Sequence, residues 1–318
     1  MPHLTQTAIE PEAARARLVP PGSLAALAQA ARCEDMGEPP TDPTSELLVD
    51  AEARIEAMFT ARAPGRLCGG ALMQEVAAVF DRSIEVQPHL PDGSVLQAGT
   101  AIATIRGPGR SVLAAERTCL NLVTHLSGIA TATSRYVAAA AAAPGSRAAI
   151  YDTRKTLPGY RGLAKYAVIC GGGQNHRQGL FDAVLIKDNH LAGLDEPSLR
   201  ARLERVIPAA RERETVSFIE VEVDTLEQLR IVLELPGHAM PDIVLLDNMT
   251  PQTLAEAVAM RNRLAPQQVE LEASGGVNLD TVTAIAAAGV DRIAVGAITH
   301  SAVALDIGLD AVSPPAGT

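Results

Sequence analysis

Six short apolar runs, AAIYD, AVLIK, FIEVEV, DIVLLDN, VELEASGG and RIAVG, recur between residues 148 and 296 of this 318-residue chain. Each ends in a polar residue or a glycine: Asp152, Lys187, Glu222, Asp247, Ser274 and Gly296, at separations of 35, 35, 25, 27 and 22 residues. That spacing is the size of one strand plus one helix. Apolar strands alternating with helical stretches imply a parallel sheet covered on both faces. A complete eightfold barrel takes about 250 residues, so about 150 residues with six visible strands imply an α/β fold built on an incomplete barrel. An open, doubly wound sheet is the alternative. Both architectures gather ligands at the carboxyl ends of the strands. The polar residues that end the runs are therefore candidates to line one site.

The preceding text differs. Residues 1–45 are Pro-rich and acidic, with one amphipathic stretch near Leu24–Ala31. From about residue 51 to 112, alternating segments (IEAMFTA, SIEVQPHL, AIATIRG) are separated by turns such as PDG at 91–93, which reads as a small, mainly β unit. A helical pattern follows from Ser111 to Ala143 and is expected to break or bend near Ser127-Gly128.

Composition excludes several classes. The net charge is −10, with four Phe, four Tyr and no Trp, so the chain offers neither the basic surface nor the stacking rings of a nucleic-acid module. No apolar run approaches the roughly 20 residues of a membrane span; the alanine run 138–143 is stopped by Pro144-Gly145. The N-terminus has no secretory h-region. Cys33, Cys68, Cys119 and Cys170 lie far apart and read as buried thiols of a reducing compartment. The expectation is a cytoplasmic protein.

Against this acidic background stands a cluster of cations. The chain has three lysines, Lys155, Lys165 and Lys187, all in one stretch that also carries Arg154, Arg161, His176, Arg177 and His190; the other 24 basic residues are arginines. Lysine is a point donor and arginine a planar fork, so the two are not interchangeable where geometry matters. The cluster suggests a pocket for a polyanionic small molecule, and a solvated basic face is the plainer reading. Two loops strengthen the first. VELEASGGVNLDTV reads as strand, Ser-Gly-Gly turn and a helix starting near Asn278 or Leu279, and RIAVGAITH repeats a strand and Gly296 with His300 nearby. Glycine turns let amides approach an anion, and loops after the last two strands are where barrels commonly hold phosphate. Glu222 and Asp247 end successive strands and should be neighbours. Such a pair can hold Mg²⁺ through waters or simply form ion pairs with Lys187 and Arg154. Lys187 alone could instead be a Schiff-base lysine, although that role favours an isolated, desolvated amine.

The runs ERTCLNLVTHLSGIAT, DTRKTLPG, KYAV–GGG–NHR–GL, LIKDNH, EVEV, LLDN, SGG and VGAITHS, in this order, resemble the quinolinate phosphoribosyltransferase family from about residue 91 to 310. The resemblance implies an N-terminal α/β sandwich (1–135), an incomplete six- to seven-stranded α/β barrel (136–300) and a tail (301–318) packing back on the first domain. It implies transfer of phosphoribose from phosphoribosyl pyrophosphate to quinolinate with loss of CO₂, assisted by Mg²⁺, in a homodimer. By position, Arg154, His176, Arg177 and Lys187 correspond to quinolinate binders, and Arg117 to an arginine lent across the dimer interface. Lys155 corresponds to the lysine on the phosphoribosyl or pyrophosphate group. Glu222 and Asp247 correspond to the ribose and metal-side acids, and Ser274, Gly275, Gly276, Gly296 and His300 to the 5′-phosphate loops. A paralogue using another acceptor and a non-catalytic anion-binding protein are the competing readings.

Overall fold

The computed structural model describes residues 10–265 and 269–311. They divide into two compact units, one of residues 10–134, 162–172 and 301–311, the other of residues 135–161 and 173–300.

In chain order, the first unit begins with α1 (Pro11–Leu18), α2 (Ser23–Met36) and α3 (Pro43–Leu48). The amphipathic stretch read near Leu24 is the start of α2, which buries Leu24 and Ala28. Pro43 opens α3 at a position where its missing N–H is no loss, and the Asp42 side chain accepts from the Ser45 amide at 3.1 Å to cap it. Then follow β1 (Arg54–Ala61), β2 (Gly65–Arg66), α4 (Met73–Phe80), β3 (Glu85–Pro88), β4 (Val95–Leu96) and β5 (Ala101–Pro108). The three alternating segments are thus β1, β3 and β5.

α5 (Gly109–Ala141) is one continuous helix, so the expected break at Ser127-Gly128 is absent. Packing explains the pair instead. Ser127 Oγ accepts from the Cys68 amide at 3.0 Å and lies 3.2 Å from the Cys68 carbonyl, and a Cβ on Gly128 would sit 2.3 Å from the Val303 carbonyl oxygen. Close approach of backbone, not a helix stop, requires the small residues here.

The second unit carries β6 (Ala149–Tyr151), β7 (Val184–Ile186), α7 (Asp188–Leu191), α8 (Glu196–Arg211), β8 (Ile219–Val223), α9 (Leu226–Leu233), β9 (Ile243–Asp247), α10 (Pro251–Leu264), β10 (Glu270–Ser274), α11 (Val282–Ala287), β11 (Arg292–Ala294) and α12 (Ala297–His300); α6 (Arg161–Cys170), between β6 and β7, groups mainly with the first unit. The last strand, β12 (Ile307–Ala311), joins the first unit's antiparallel sheet, of order β12-β1-β5-β3.

All six anticipated strands pair in one parallel sheet of order β6-β11-β10-β9-β8-β7. From β7 to β11 each strand adds beside its predecessor, and the first strand pairs with the last. That is a barrel winding, since a doubly wound sheet reverses direction at a switch point. The ring opens between β6 and β7, where a single bridge joins Tyr151 to Gln174, so the seventh position holds one bridging residue rather than a strand. Capped helices return the chain between strands: Thr225 and Gln228 form a capping box on α9, and Thr250 caps α10.

In the first unit, Cys68, Cys119 and Cys170 are buried, Cys33 is half-buried, and all four are free thiols. Burial pushes Cys119 up to about 12. Among the described residues, no helix is long and apolar enough to cross a membrane.

Candidate active site

Because the six strands are parallel, their carboxyl ends lie along one edge. In sheet order that edge carries Lys155 (after β6), Gly296 (β11), Ser274 (β10), Asp247 (β9), Glu222 (β8) and Lys187 (β7). Lys187 Nζ donates to Glu222 Oε2 at 3.0 Å; Glu222 is buried while the Lys187 side chain is half exposed. An ion-paired, half-exposed ammonium is unlike the desolvated amine a Schiff base needs.

Asp247 sits in an acidic setting. Burial raises its pKa above the usual carboxylate range and Asp224 adds to the rise, while a hydrogen bond from Asn248 Nδ2 (2.6 Å) and the charge of Lys187 oppose it. Asp188 also raises it. Asp224, Asp188 and Asn248 were absent from the candidates read in sequence. Asp224 follows the end of β8 by one residue and Asp188 the end of β7 by two, and that position was the available signal. Glu222 and Asp247, at the ends of neighbouring strands, offer the hard oxygen donors that Mg²⁺ takes.

The two glycine loops are built differently from the expectation. Gly275 (φ +89°) and Gly276 (φ +61°) both have left-handed backbone, and a Cβ on Gly275 would lie 2.2 Å from Asn248 Oδ1. Asn248, itself at φ 54°, donates its amide to the Ser274 carbonyl at 2.9 Å, so the two neighbouring loops interlock. The following helix starts at Val282 rather than at Asn278 or Leu279. Asn278 Oδ1 accepts from the amides of Asp280 and Thr281, which makes a turn before the helix begins. On the other loop, a Cβ on Gly296 would lie 3.1 Å from Lys155 Cδ and 3.2 Å from His300 Nε2, so Gly296, Lys155 and His300 come together. Thr299 Oγ1 donates to the Lys155 carbonyl at 2.8 Å and fixes that loop to α12.

The NHR segment is held by a residue that sequence reading assigned to the rim. Asp152 is fully buried and accepts from Asn175 Nδ2 (2.7 Å) and the His176 amide (2.9 Å), so it anchors the segment rather than lining a pocket. Arg177 is buried, and its pKa is lowered by burial and by the nearby charge of Arg154, with Glu220 and Asp182 opposing. Arg154 Nε is buried and has no hydrogen-bond partner.

Beneath this edge the barrel interior is charged. The strands had been read as apolar runs, yet Glu220 and Glu272 are fully buried and Arg292 nearly so. Arg292 Nε donates to Glu272 Oε2 at 2.7 Å, its Cζ lies 3.8 Å above the Tyr151 ring centroid, and its Nη1 is 3.6 Å from Glu270 Oε2. His176 Nε2 is 2.8 Å from Glu220 Oε2 and 3.4 Å from Glu272 Oε1. The Arg177 amide aims its N–H at Nδ1 from 2.8 Å and needs a lone pair there. A proton on Nδ1 would set two N–H groups head to head, so the ring as placed is the Nε2–H tautomer, donating to Glu220. Both ring nitrogens of His176 thus face protein groups. The alternating acids of EVEV and VELEA were the signal for this interior, since period-two charges in a strand share one face.

Two candidates stand elsewhere. Arg117 is exposed on α5 of the first unit, and Lys165 is fully buried on α6.

An edge of this kind, with paired carboxylates, two glycine loops and a set of cations, defines an α/β-barrel protein for phosphate-bearing, polyanionic small molecules. The comparisons name it further. Residues 129–310 match the model of the quinolinate phosphoribosyl transferase C-terminal domain, and residues 42–127 that of the N-terminal domain. The chain belongs to the quinolinate phosphoribosyltransferase family. It is 44% identical over 274 residues to a carboxylating nicotinate-nucleotide pyrophosphorylase of Mycobacterium leprae, covering 85% of this chain and 90% of that protein. A quinolinate phosphoribosyltransferase (decarboxylating) of Nicotiana tabacum is 36% identical over 316 residues, covering 96% of this chain and 87% of the other. The solved nicotinate-nucleotide pyrophosphorylase of Francisella tularensis superposes with a TM-score of 0.80 at 35% identity, over 92% of this chain and 97% of that one.

Proposed function

We propose that this chain transfers the phosphoribosyl group of phosphoribosyl pyrophosphate to quinolinate, releasing pyrophosphate and CO₂ and forming nicotinate mononucleotide for NAD biosynthesis. The observation that carries the reading is the order along one sheet edge: Lys155 and Gly296, then Ser274, Asp247, Glu222 and Lys187. Phosphate groups dock on the glycine loops at Gly275, Gly276 and Gly296 beside His300 and Lys155. The acceptor's carboxylates dock at Arg154, Arg177 and Lys187, where the orphaned Nε of Arg154 waits for an anion.

In the reaction the pyridine nitrogen attacks C1 of the ribose, and the C1–O bond to pyrophosphate breaks with its electron pair going to the leaving oxygen. Glu222 and Asp247 face the positive charge that develops on the sugar. The cations hold two polyanions in line, a positioning effect. Once the ring nitrogen is alkylated and cationic, it takes up the electron pair freed when the adjacent carboxylate leaves as CO₂, and a proton replaces that group on the ring. The oxygen donors at Glu222 and Asp247 would hold Mg²⁺ through water, and when bound it supplies positive charge against the pyrophosphate.

A homodimer with Arg117 contributed across its interface completes the proposal. Exposed apolar side chains at Leu47, Leu48, Leu180 and Phe181 support self-association. A cytoplasmic location is part of the proposal, and the four free thiols support it. The decisive experiment is a coupled assay for CO₂ and pyrophosphate from quinolinate, with nicotinate as the control acceptor. Equal turnover on nicotinate, or pyrophosphate release without CO₂, refutes it.

A further inference from the structure

We propose that Glu220, supported by Glu272, is a positioning residue for acceptor binding: it fixes the His176 ring, and the ring fixes Arg177. The proposal rests on the reading that Arg154 and Arg177 grip the acceptor's carboxylates.

The chain of contacts is continuous. Glu220 Oε2 accepts from His176 Nε2 at 2.8 Å, Glu272 Oε1 lies 3.4 Å from the same nitrogen, and His176 Nδ1 accepts from the Arg177 amide at 2.8 Å. Phe218 meets the ring edge-on with centroids 5.4 Å apart, which limits its tilt. Backbone and side chain of the same segment are pinned on the other side by Asp152. The His176 ring meets the amide that begins Arg177, while the Arg177 side chain is steadied by Nη1 at 3.4 Å from the Ala183 carbonyl. Glu220 also acts on Arg177 by charge, since its carboxylate opposes the loss of the proton that burial and Arg154 favour. Arg154 and Arg177 repel one another, and the Glu220 carboxylate offsets that repulsion at Arg177.

The interior position of these charges argues the same way. A barrel of this kind is ordinarily filled with branched apolar side chains, and Glu220 keeps an oxygen, Oε1, buried with no hydrogen-bond partner. Packing alone would be better served by leucine. A buried charge beneath the segment that carries Arg177 is explained by what it does to that segment.

Steady-state kinetics with each substrate varied separately test the idea. Glu220→Ala is expected to raise KM for quinolinate by about tenfold or more while KM for phosphoribosyl pyrophosphate stays within about twofold. Glu220→Gln keeps an acceptor for Nε2–H and is expected to recover the quinolinate KM to within about threefold of the parent. A merely structural role would move both KM values together, and that outcome, or an unchanged quinolinate KM in Glu220→Ala, overturns the proposal. Should Glu220→Ala not fold, calorimetric binding of quinolinate to Glu220→Leu, which fills the space but offers Nε2–H no acceptor, decides, and an affinity within about threefold of the parent overturns it. Arg154→Ala is the parallel arm. If it weakens quinolinate while Glu220→Ala does not, the positioning idea alone fails; if Arg154→Ala has no effect, the reading of the acceptor site fails instead.

Discussion

Replacing Glu272 by glutamine should remove about 3 kcal/mol of stability at pH 7, and the deficit should fade in acid. Glu272 is fully buried, and although burial opposes its charge, Arg292 and His176 hold its pKa at about 2, against 4.5 for an ordinary glutamate. A lowering of that size corresponds to about 3 kcal/mol, because each pKa unit is worth roughly 1.4 kcal/mol. A carboxylate with a depressed pKa contributes stability that is fully present above its unfolded value and lost as pH falls through the folded one. The difference between parent and Glu272→Gln should therefore be constant above about pH 5 and shrink to about 1 kcal/mol near pH 3. Breaking a buried pair from one side also leaves Arg292 with only the longer 3.6 Å contact to Glu270 Oε2 and the Tyr151 ring, so the loss falls in the few-kcal/mol range measured for such deletions. Urea unfolding followed by far-ultraviolet circular dichroism suits a chain without tryptophan. A deficit under about 0.5 kcal/mol at pH 7, or one that is undiminished at pH 3, would show that the Glu272–Arg292 pair does not hold the barrel as described.

Other perturbations give equally direct readings. Lys187→Ala, which leaves Glu222 without its 3.0 Å partner, and Arg154→Ala should each lower turnover by about tenfold or more, a barrier change of about 1.4 kcal/mol; near-parental rates in both would remove their assigned roles. Gly275→Ala forces a side chain onto Asn248 at a backbone angle alanine avoids, so turnover should drop by about tenfold and thermal stability should fall with it, whereas parental kinetics would show that the interlocked loops do not shape the site. Gly128→Ala should destabilise the first unit by about 3 kcal/mol through collision with the Val303 carbonyl, checked by the same denaturant titration. Chelation of divalent cations should abolish turnover and added Mg²⁺ restore it, with Asp247→Asn needing more Mg²⁺ for half-maximal rate; full activity in excess chelator would exclude the metal reading of Glu222 and Asp247.

The sequence by itself determined the repeat, and with it the sheet. Apolar runs at strand-plus-helix spacing must bury both faces, so β6 to β11 were legible as a parallel set whose carboxyl ends share an edge. Because that geometry fixes where a strand's last residue goes, Lys187, Glu222, Asp247, Ser274 and Gly296 could be placed on one rim without coordinates. What tertiary structure decided was direction and partnership. Asp152 looked like another rim residue and proved to be the buried anchor of Asn175 and His176. The Ser127-Gly128 pair looked like a helix stop and proved to be the place where α5 lies against the Cys68 and Val303 backbones. Propensity describes a residue beside its chain neighbours, whereas these roles depend on atoms tens of residues away. The charged barrel interior shows the same limit. EVEV announces that two acids share a face, but only the pairing of β8, β10 and β11 says that this face is the inside, and that His176 and Arg292 are there to meet them.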